Sequence, residues 1–377
     1  MTLLRSDLLR ALREPAAMAA FGADTWDVVV RQAASAGLLG RLGVMVRRAG
    51  IENTLPLPVL RHLTAVLTIA TQQQRAVRWE LVQLTDALAE IDGPVLLLKG
   101  AAYAAADLPP AGGRLFSDID ILVPKAQIGA AEAALMLDGW VSGQRSAYDQ
   151  RYYREWMHEI PPMTHIRRQT VLDLHHNILP ETARLRTRAE PILARARPLP
   201  EFPRFSIPSP VDLVLHSATH LFHEGEWEHG LRDLVDLDAM LREFGASPDF
   251  WEELLAVAGE MNLGRPLVYG LRYCRRLLDT PMPDDLRTRC PSCPGSAAVS
   301  AMDRLFIPAF STAHHSLRMA GAVPASFALY VRSHWLRMPV HLLLPHLVRK
   351  SWMENVAPLF EKQGPPTGGG ERTAQMP

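Results

Sequence analysis

Three cysteines in 377 residues, Cys274, Cys290 and Cys293, are too few for a disulfide framework and fit a reducing compartment. The Cys290 and Cys293 pair lacks the second ligand pair of a structural zinc site, because Cys274 falls in a helical pattern. No run of about 18 uncharged apolar residues occurs, so no transmembrane helix is expected, and the opening MTLLRSDLLRALRE has no apolar signal core. The expected location is the cytoplasm. Net charge is missing too: Lys+Arg and Asp+Glu are both 40, so no global basic field points to a long nucleic acid as partner.

What is present is a globular composition, 48% hydrophobic and 21% charged, over a length that accommodates two or three packed domains. Residues 1–92 read as helical, since leucine and alanine recur at three- and four-residue spacing. Asp24 or Thr25 can cap one helix; a break at Leu55-Pro56-Leu57-Pro58 precedes a long helical pattern from Val59 to Ile91, ended by Asp92-Gly93-Pro94. The texture then turns to short β-rich runs. Val95 to Leu98 is a continuous apolar strand, Gly100 allows a close turn, and Ala101 to Ala106 opens a helix that Pro109-Pro110 ends. In the strand that follows, Asp118 and Asp120 share one face while Ile119 and Ile121 take the other, so the carboxylates lie roughly 6–7 Å apart. Lys125 to Leu137 reads as a helix, and Trp140 to Val141, Tyr152 to Trp156, Met163 to Ile166 and Thr170 to His175 as strands, the last two a hairpin around Arg167-Arg168-Gln169. Asp173 stands between Leu172 and Leu174 and so projects opposite to both, on the same face as His175.

An apolar strand ending in glycine, a short helix, an Asp-hydrophobic-Asp strand and a later Asp between apolar neighbours resemble the DNA polymerase β-type nucleotidyltransferase superfamily. More closely, LLLKGAAY, GRLFSDIDILV, VLDLHH and LRDLVDLDAML, in that order, resemble a bacterial family of uncharacterised nucleotidyltransferases. The resemblance implies an α+β fold, a mixed-sheet nucleotidyltransferase core with an N-terminal helical cap and a helical C-terminal domain. Expected limits are 1–92 for the helical region, 93–200 for the core, 201–362 for the C-terminal domain and 363–377 for a disordered tail. It also implies Mg²⁺, with Mn²⁺ as a substitute, and a nucleoside triphosphate: an acceptor oxygen attacks the α-phosphorus, pyrophosphate leaves, and two ions stabilise both oxygens. Asp118, Asp120 and Asp173 would then be the catalytic, metal-holding acids, with Asp173 also able to take the acceptor's proton. Lys99, Gly100, Ala101, Arg114, Ser117, His175 and His220 would bind the nucleotide, the backbone at Gly100 and Ala101 cradling the triphosphate. Gly100-Ala101 stands where the superfamily has Gly-Gly or Gly-Ser.

His216, His220 and His223 fall at i, i+4 and i+7, hence along one helix face turned to the cleft or packed internally, a spacing that could also hold Zn²⁺. Asp233 and Asp236 read as structural partners of that helix. From 325 to 352 the chain is apolar and basic, which allows membrane-surface contact, but Pro339 and Pro345 interrupt an amphipathic helix and favour packing on the core. The reading is a nucleotidyltransferase whose acceptor is a small molecule, glycan, protein or tRNA end. The alternatives are a toxin-like enzyme acting on tRNA or protein and a non-catalytic nucleotide-binding protein.

Overall fold

The computed structural model describes residues 3–143, 147–223, 225, 227–290, 294–339 and 341–343. The tail expected at 363–377, Cys293 and the basic end of the 325–352 stretch lie outside the described residues.

Apolar residues at helical spacing build the N-terminal part: α1 (Asp7–Arg13), α2 (Ala23–Ser35), α3 (Leu39–Ala49) and α4 (Leu57–Ala87). Ser6 caps α1 by accepting the Leu9 amide at 3.2 Å. Pro56 precedes α4, whose Val59, Leu63, Leu67, Val77, Leu81 and Leu84 bury one stripe. The chain then enters the sheet with β1 (Val95–Leu97), crosses α5 (Lys99–Ala105), and returns as β2 (Asp118–Leu122). Next come α6 (Ile128–Leu137), β3 (Trp140–Ser142), α7 (Ala147–Trp156), β4 (Met163–His165) and β5 (Val171–His175). The short α8 (Glu190–Ala194) leads to β6 (Arg197–Pro198) and β7 (Phe205–Ile207).

Among the described residues the sheet has seven strands in the order β3-β4-β5-β2-β1-β7-β6 and is mixed. Strand β1 pairs antiparallel with β2 and parallel with β7, whereas β2 pairs parallel with β5. Strands β4 and β5 are antiparallel and joined by the expected hairpin, where Gln169 takes the left-handed backbone and the His165 amide donates to the Thr170 carbonyl at 2.9 Å. One expected strand is a helix instead. Tyr152 to Trp156 belongs to α7, because its contacts run at i, i+4: Arg151 donates to Glu155 at 2.9 Å, Arg154 to Gln150 at 3.1 Å, and the Tyr152 and Trp156 rings meet edge to face at 5.9 Å.

Among the described residues seven helices follow: α9 (Pro210–His223), α10 (Gly230–Phe244), α11 (Pro248–Glu260), α12 (Gly264–Leu278), α13 (Leu286–Arg289), α14 (Ser296–Ala309) and α15 (Ala322–Arg337). Phe222 centres an aromatic cluster with Trp227, Tyr269, Tyr273, Phe306 and Phe310 that packs α9, α12 and α14 together. Among the described residues no helix is long and apolar enough to cross a membrane.

Candidate active site

The register of β2 against β5 sets the site. Asp118 pairs with Val171, Asp120 with Asp173 and Leu122 with His175, so the two acids of the middle pair stand side by side on neighbouring strands. Parallel pairing keeps partners on one face, and Asp118 joins them two residues along the same strand. Their apolar neighbours Ile119, Ile121, Leu172 and Leu174 are fully buried on the other side and fix that orientation. A one-residue slip would turn every carboxylate into the core.

Asp120 is nearly sealed, with its side chain 4% exposed. Its Oδ1 accepts from Lys99 Nζ at 3.1 Å and pairs with His175 Nε2 at 3.0 Å. Burial by itself would raise this carboxyl, but the Lys99 charge and the His175 contact outweigh it and hold it well below the usual range. Lys99 reaches Asp120 from a left-handed backbone, φ +43°, at the start of α5. That conformation costs a side-chain-bearing residue about 1–2 kcal/mol, so the strain is retained where the ammonium meets the carboxylate.

Asp173 is the opposite case. Burial, Asp120 and Glu159 push its carboxyl up to about 7, and its Oδ1 is buried with no hydrogen-bond partner. An orphaned carboxylate oxygen beside a second, ionised carboxylate is a place a cation would satisfy. One ligand atom each from Asp120, Asp173 and His175 lie within 4.8 Å of one another, so the residues present fit a divalent ion. Asp118 faces the same cleft outside that close group, its Oδ1 accepting from the Ser117 hydroxyl at 2.9 Å.

The acids open onto a cavity of about 380 Å³. Of the residues expected to hold the nucleotide, Lys99, Gly100, Arg114, Ser117 and His220 line it. Ala101 does not, being fully buried in the core. His175 is buried behind the acids, bonded to Asp120. Arg114 is drawn into an ion-pair network, bound to Asp236 and 3.8 Å from Asp233, with its guanidinium 5.9 Å from the Tyr103 ring centroid.

Helix α9 brings the histidine face. It starts sharply because Pro210 occupies the first turn and the Ser209 hydroxyl accepts the Asp212 amide at 3.3 Å. His220 lines the cavity, while His216 and His223 are buried, and burial, reinforced by Lys99 at His216 and by Arg332 at His223, lowers each ring to about 3. Among the described residues these three do not form a group able to hold an ion.

Sequence reasoning missed Glu159, Ser217, His229 and Arg232, all of which line the cavity. Glu159 arrives through a single β-bridge to His175, its neighbour Ile160 donating to the Leu174 carbonyl at 3.0 Å. No periodic pattern marks so short a pairing; adjacent ligand types, His158 and Glu159, just before Pro161-Pro162 are its only trace.

A mixed sheet with in-register acids on adjacent parallel strands, flanked by helices that close over a charged cleft, is an α+β nucleotidyltransferase fold. The chain belongs to the family described as uncharacterised nucleotidyltransferase, whose family model matches residues 22–279. No curated protein matches the sequence.

Proposed function

We propose that this protein transfers a nucleoside monophosphate from a nucleoside triphosphate to an acceptor hydroxyl, with Asp118, Asp120 and Asp173 as its catalytic acids. The observation that carries the reading is the Asp120 and Asp173 pair, in register on β2 and β5 with Asp118 on the same face, in a 380 Å³ cavity that Lys99, Arg114 and Arg232 also line. Divalent ions, Mg²⁺ or Mn²⁺ held by these acids, would supply charge stabilisation for the attacking and leaving oxygens.

The chain's own residues account for the rest. Lys99, Arg114 and Arg232 line the cavity and would face the triphosphate, the two arginines from the ion-pair network they share with Asp233 and Asp236. Helix α5 has seven residues, too short to contribute much dipole, so the charge falls on these side chains. The backbone approaches the cavity at Gly100, where an added Cβ would meet the Phe116 ring at 3.0 Å. The acceptor's proton passes to the Asp173 carboxylate, which lines the cavity beside Asp120. The freed oxygen then attacks the α-phosphorus in line, the bond to the β,γ-pyrophosphate breaks, and pyrophosphate leaves.

Purified protein incubated with labelled nucleoside triphosphates, Mg²⁺ or Mn²⁺ and a cell extract tests this. Transfer should fall by about two to three orders of magnitude in Asp120→Asn and Asp173→Asn. Undiminished transfer in both would place the chemistry elsewhere, and no transfer with any nucleotide would leave a nucleotide-binding protein that keeps the fold.

A further inference from the structure

In-line displacement asks more of a site than its acids: the acceptor oxygen must approach the α-phosphorus from the side opposite the departing pyrophosphate. The strand order provides two such sides. Strands β1 and β5 flank β2, and Lys99 and Gly100, which follow β1, line the charged cavity assigned to the triphosphate. Toward β5 a second cavity, of about 390 Å³, is lined by α4, the entry to β2 and the β4–β5 hairpin. Phe116, Ser117 and Asp118 line both cavities, so the two meet at the first of the acids.

The wall of the second cavity is firmly built and its charges are balanced. Glu80 of α4, its side chain 3% exposed, pairs with Arg168 Nε at 2.7 Å and accepts the Thr170 hydroxyl at 3.0 Å, which ties the hairpin to the helix. Arg168 also meets Asp138 at 3.0 Å. Among the described residues lining this cavity Arg168 is the cation, and those two carboxylates neutralise it. No positive charge is left over for a run of phosphates, so a nucleic acid end fits poorly. The remaining recognition groups are uncharged. Trp79, 53% exposed, and Phe116 contribute aromatic rings. Gln73 accepts the Phe116 amide through Oε1 at 2.9 Å, which leaves its amide nitrogen as a donor. Gln169 donates through Nε2 to the Ile166 carbonyl at 3.0 Å, which leaves its Oε1 as an acceptor. Aromatic surface with one amide donor and one amide acceptor matches a sugar ring, whose C–H face is apolar and whose hydroxyls both donate and accept. The volume is that of a small-molecule site.

We propose that this second cavity binds the acceptor, and that the acceptor is a sugar with a hydroxyl that reaches the catalytic acids past Asp118. This deepens the nucleotidyltransferase reading, on which it rests, by naming the acceptor class. The hydroxyl gives its proton to the Asp173 carboxylate and its oxygen bonds the α-phosphorus. The bond from that phosphorus to the bridging oxygen breaks with its electron pair, and the products are a nucleoside monophosphoryl sugar and pyrophosphate.

The test uses full-length protein, Mn²⁺, a nucleoside triphosphate labelled at the α-phosphate, and cell extract pretreated with periodate, protease or ribonuclease, each quenched before the assay. Periodate cleaves sugars between neighbouring hydroxyls, so it should abolish label transfer, and the two enzymes should leave it intact. In a dilution series of untreated extract, Trp79→Ala should raise the amount giving half-maximal rate about tenfold with the maximal rate kept, and Trp79→Phe should restore it to within about threefold. Calorimetry with a non-transferable, α,β-methylene nucleotide should give the wild-type affinity in Trp79→Ala. Transfer lost to protease or ribonuclease, or surviving periodate, overturns the sugar assignment. An unchanged half-maximal amount in Trp79→Ala, or a loss of nucleotide affinity in that variant, overturns the acceptor site, and nucleotidyl transfer stands in each of these cases. No transfer by the wild-type protein with any nucleotide overturns both.

Discussion

At the scale of single residues the site is a balance of charge that substitutions will tip in known directions. Asp120 is ionised in the interior because Lys99 and His175 both reach its Oδ1. Lys99→Met leaves a buried carboxylate without its ammonium partner, so folding stability at neutral pH should fall by about 1–3 kcal/mol. Urea unfolding of the variant checks this, and an unchanged midpoint would mean that Asp120 is not held by that contact. His223 gives a pH signature of its own. Burial and the nearby Arg332 and Arg337 hold the folded ring near 3, whereas the unfolded ring titrates at about 6.5. Between those values the unfolded chain binds a proton that the folded chain does not. The stability supplied by the neutral ring is therefore complete above about pH 6.5 and is lost as pH falls. Comparing urea unfolding of the wild type and His223→Gln from pH 6.5 to 5, the wild-type curve should descend more steeply, by about 1.4 kcal/mol per pH unit at most. Parallel curves would show that His223 is not held neutral. The three aspartates were legible in the sequence because strand alternation is local and places side chains without knowledge of the fold. Glu159, His229 and Arg232 were not, since tertiary packing alone brings them to the cavity.

At the scale of elements, the loop carrying Arg114 is pressed against α3 so closely that side chains are excluded. A Cβ on Gly113 would lie 2.2 Å from the Gly40 carbonyl oxygen, and Gly113 also has φ +72°. Gly113→Ala should cost about 2–4 kcal/mol from steric overlap and left-handed strain together, and it should move Arg114. Gly129, in the first turn of α6, has nothing within 4 Å of an added Cβ. Gly129→Ala should stabilise by about 0.5–1 kcal/mol. Thermal unfolding of the pair measures both, and shifts of the same sign would contradict this packing. Element type was readable where apolar spacing was strong, as in α4 and the β4–β5 hairpin. It failed at α7, where aromatic residues imitate strand composition while the Arg151 and Glu155 pair and the Tyr152 and Trp156 rings close at helical spacing. The edge strand β6 and its neighbour β7 are two and three residues long, below the length at which alternation can be seen.

At the scale of the whole molecule, buried arginines tie together the three parts of the chain that the sequence suggests. Arg41 on α3 donates to the Pro109 and Pro110 carbonyls at 2.7 and 2.8 Å and reaches Asp236 on α10 at 3.4 Å, while Arg114 from the sheet region binds the same Asp236. The cleft wall is thus shared between the acids of the sheet and the helices on either side, residues that lie far apart in sequence. That is why the in-register acids could be read from a short stretch and the rest of the cleft wall could not. The central claim concerns which phosphorus is attacked, and isotope position decides it. Wild-type protein is incubated with a cell extract, divalent ion and nucleoside triphosphate carrying label at either the α- or the γ-phosphate. We expect the α-label to enter an acceptor and the γ-label to appear in pyrophosphate. Transfer of the γ-label to an acceptor, with the α-label left on nucleoside diphosphate, would contradict nucleotidyl transfer.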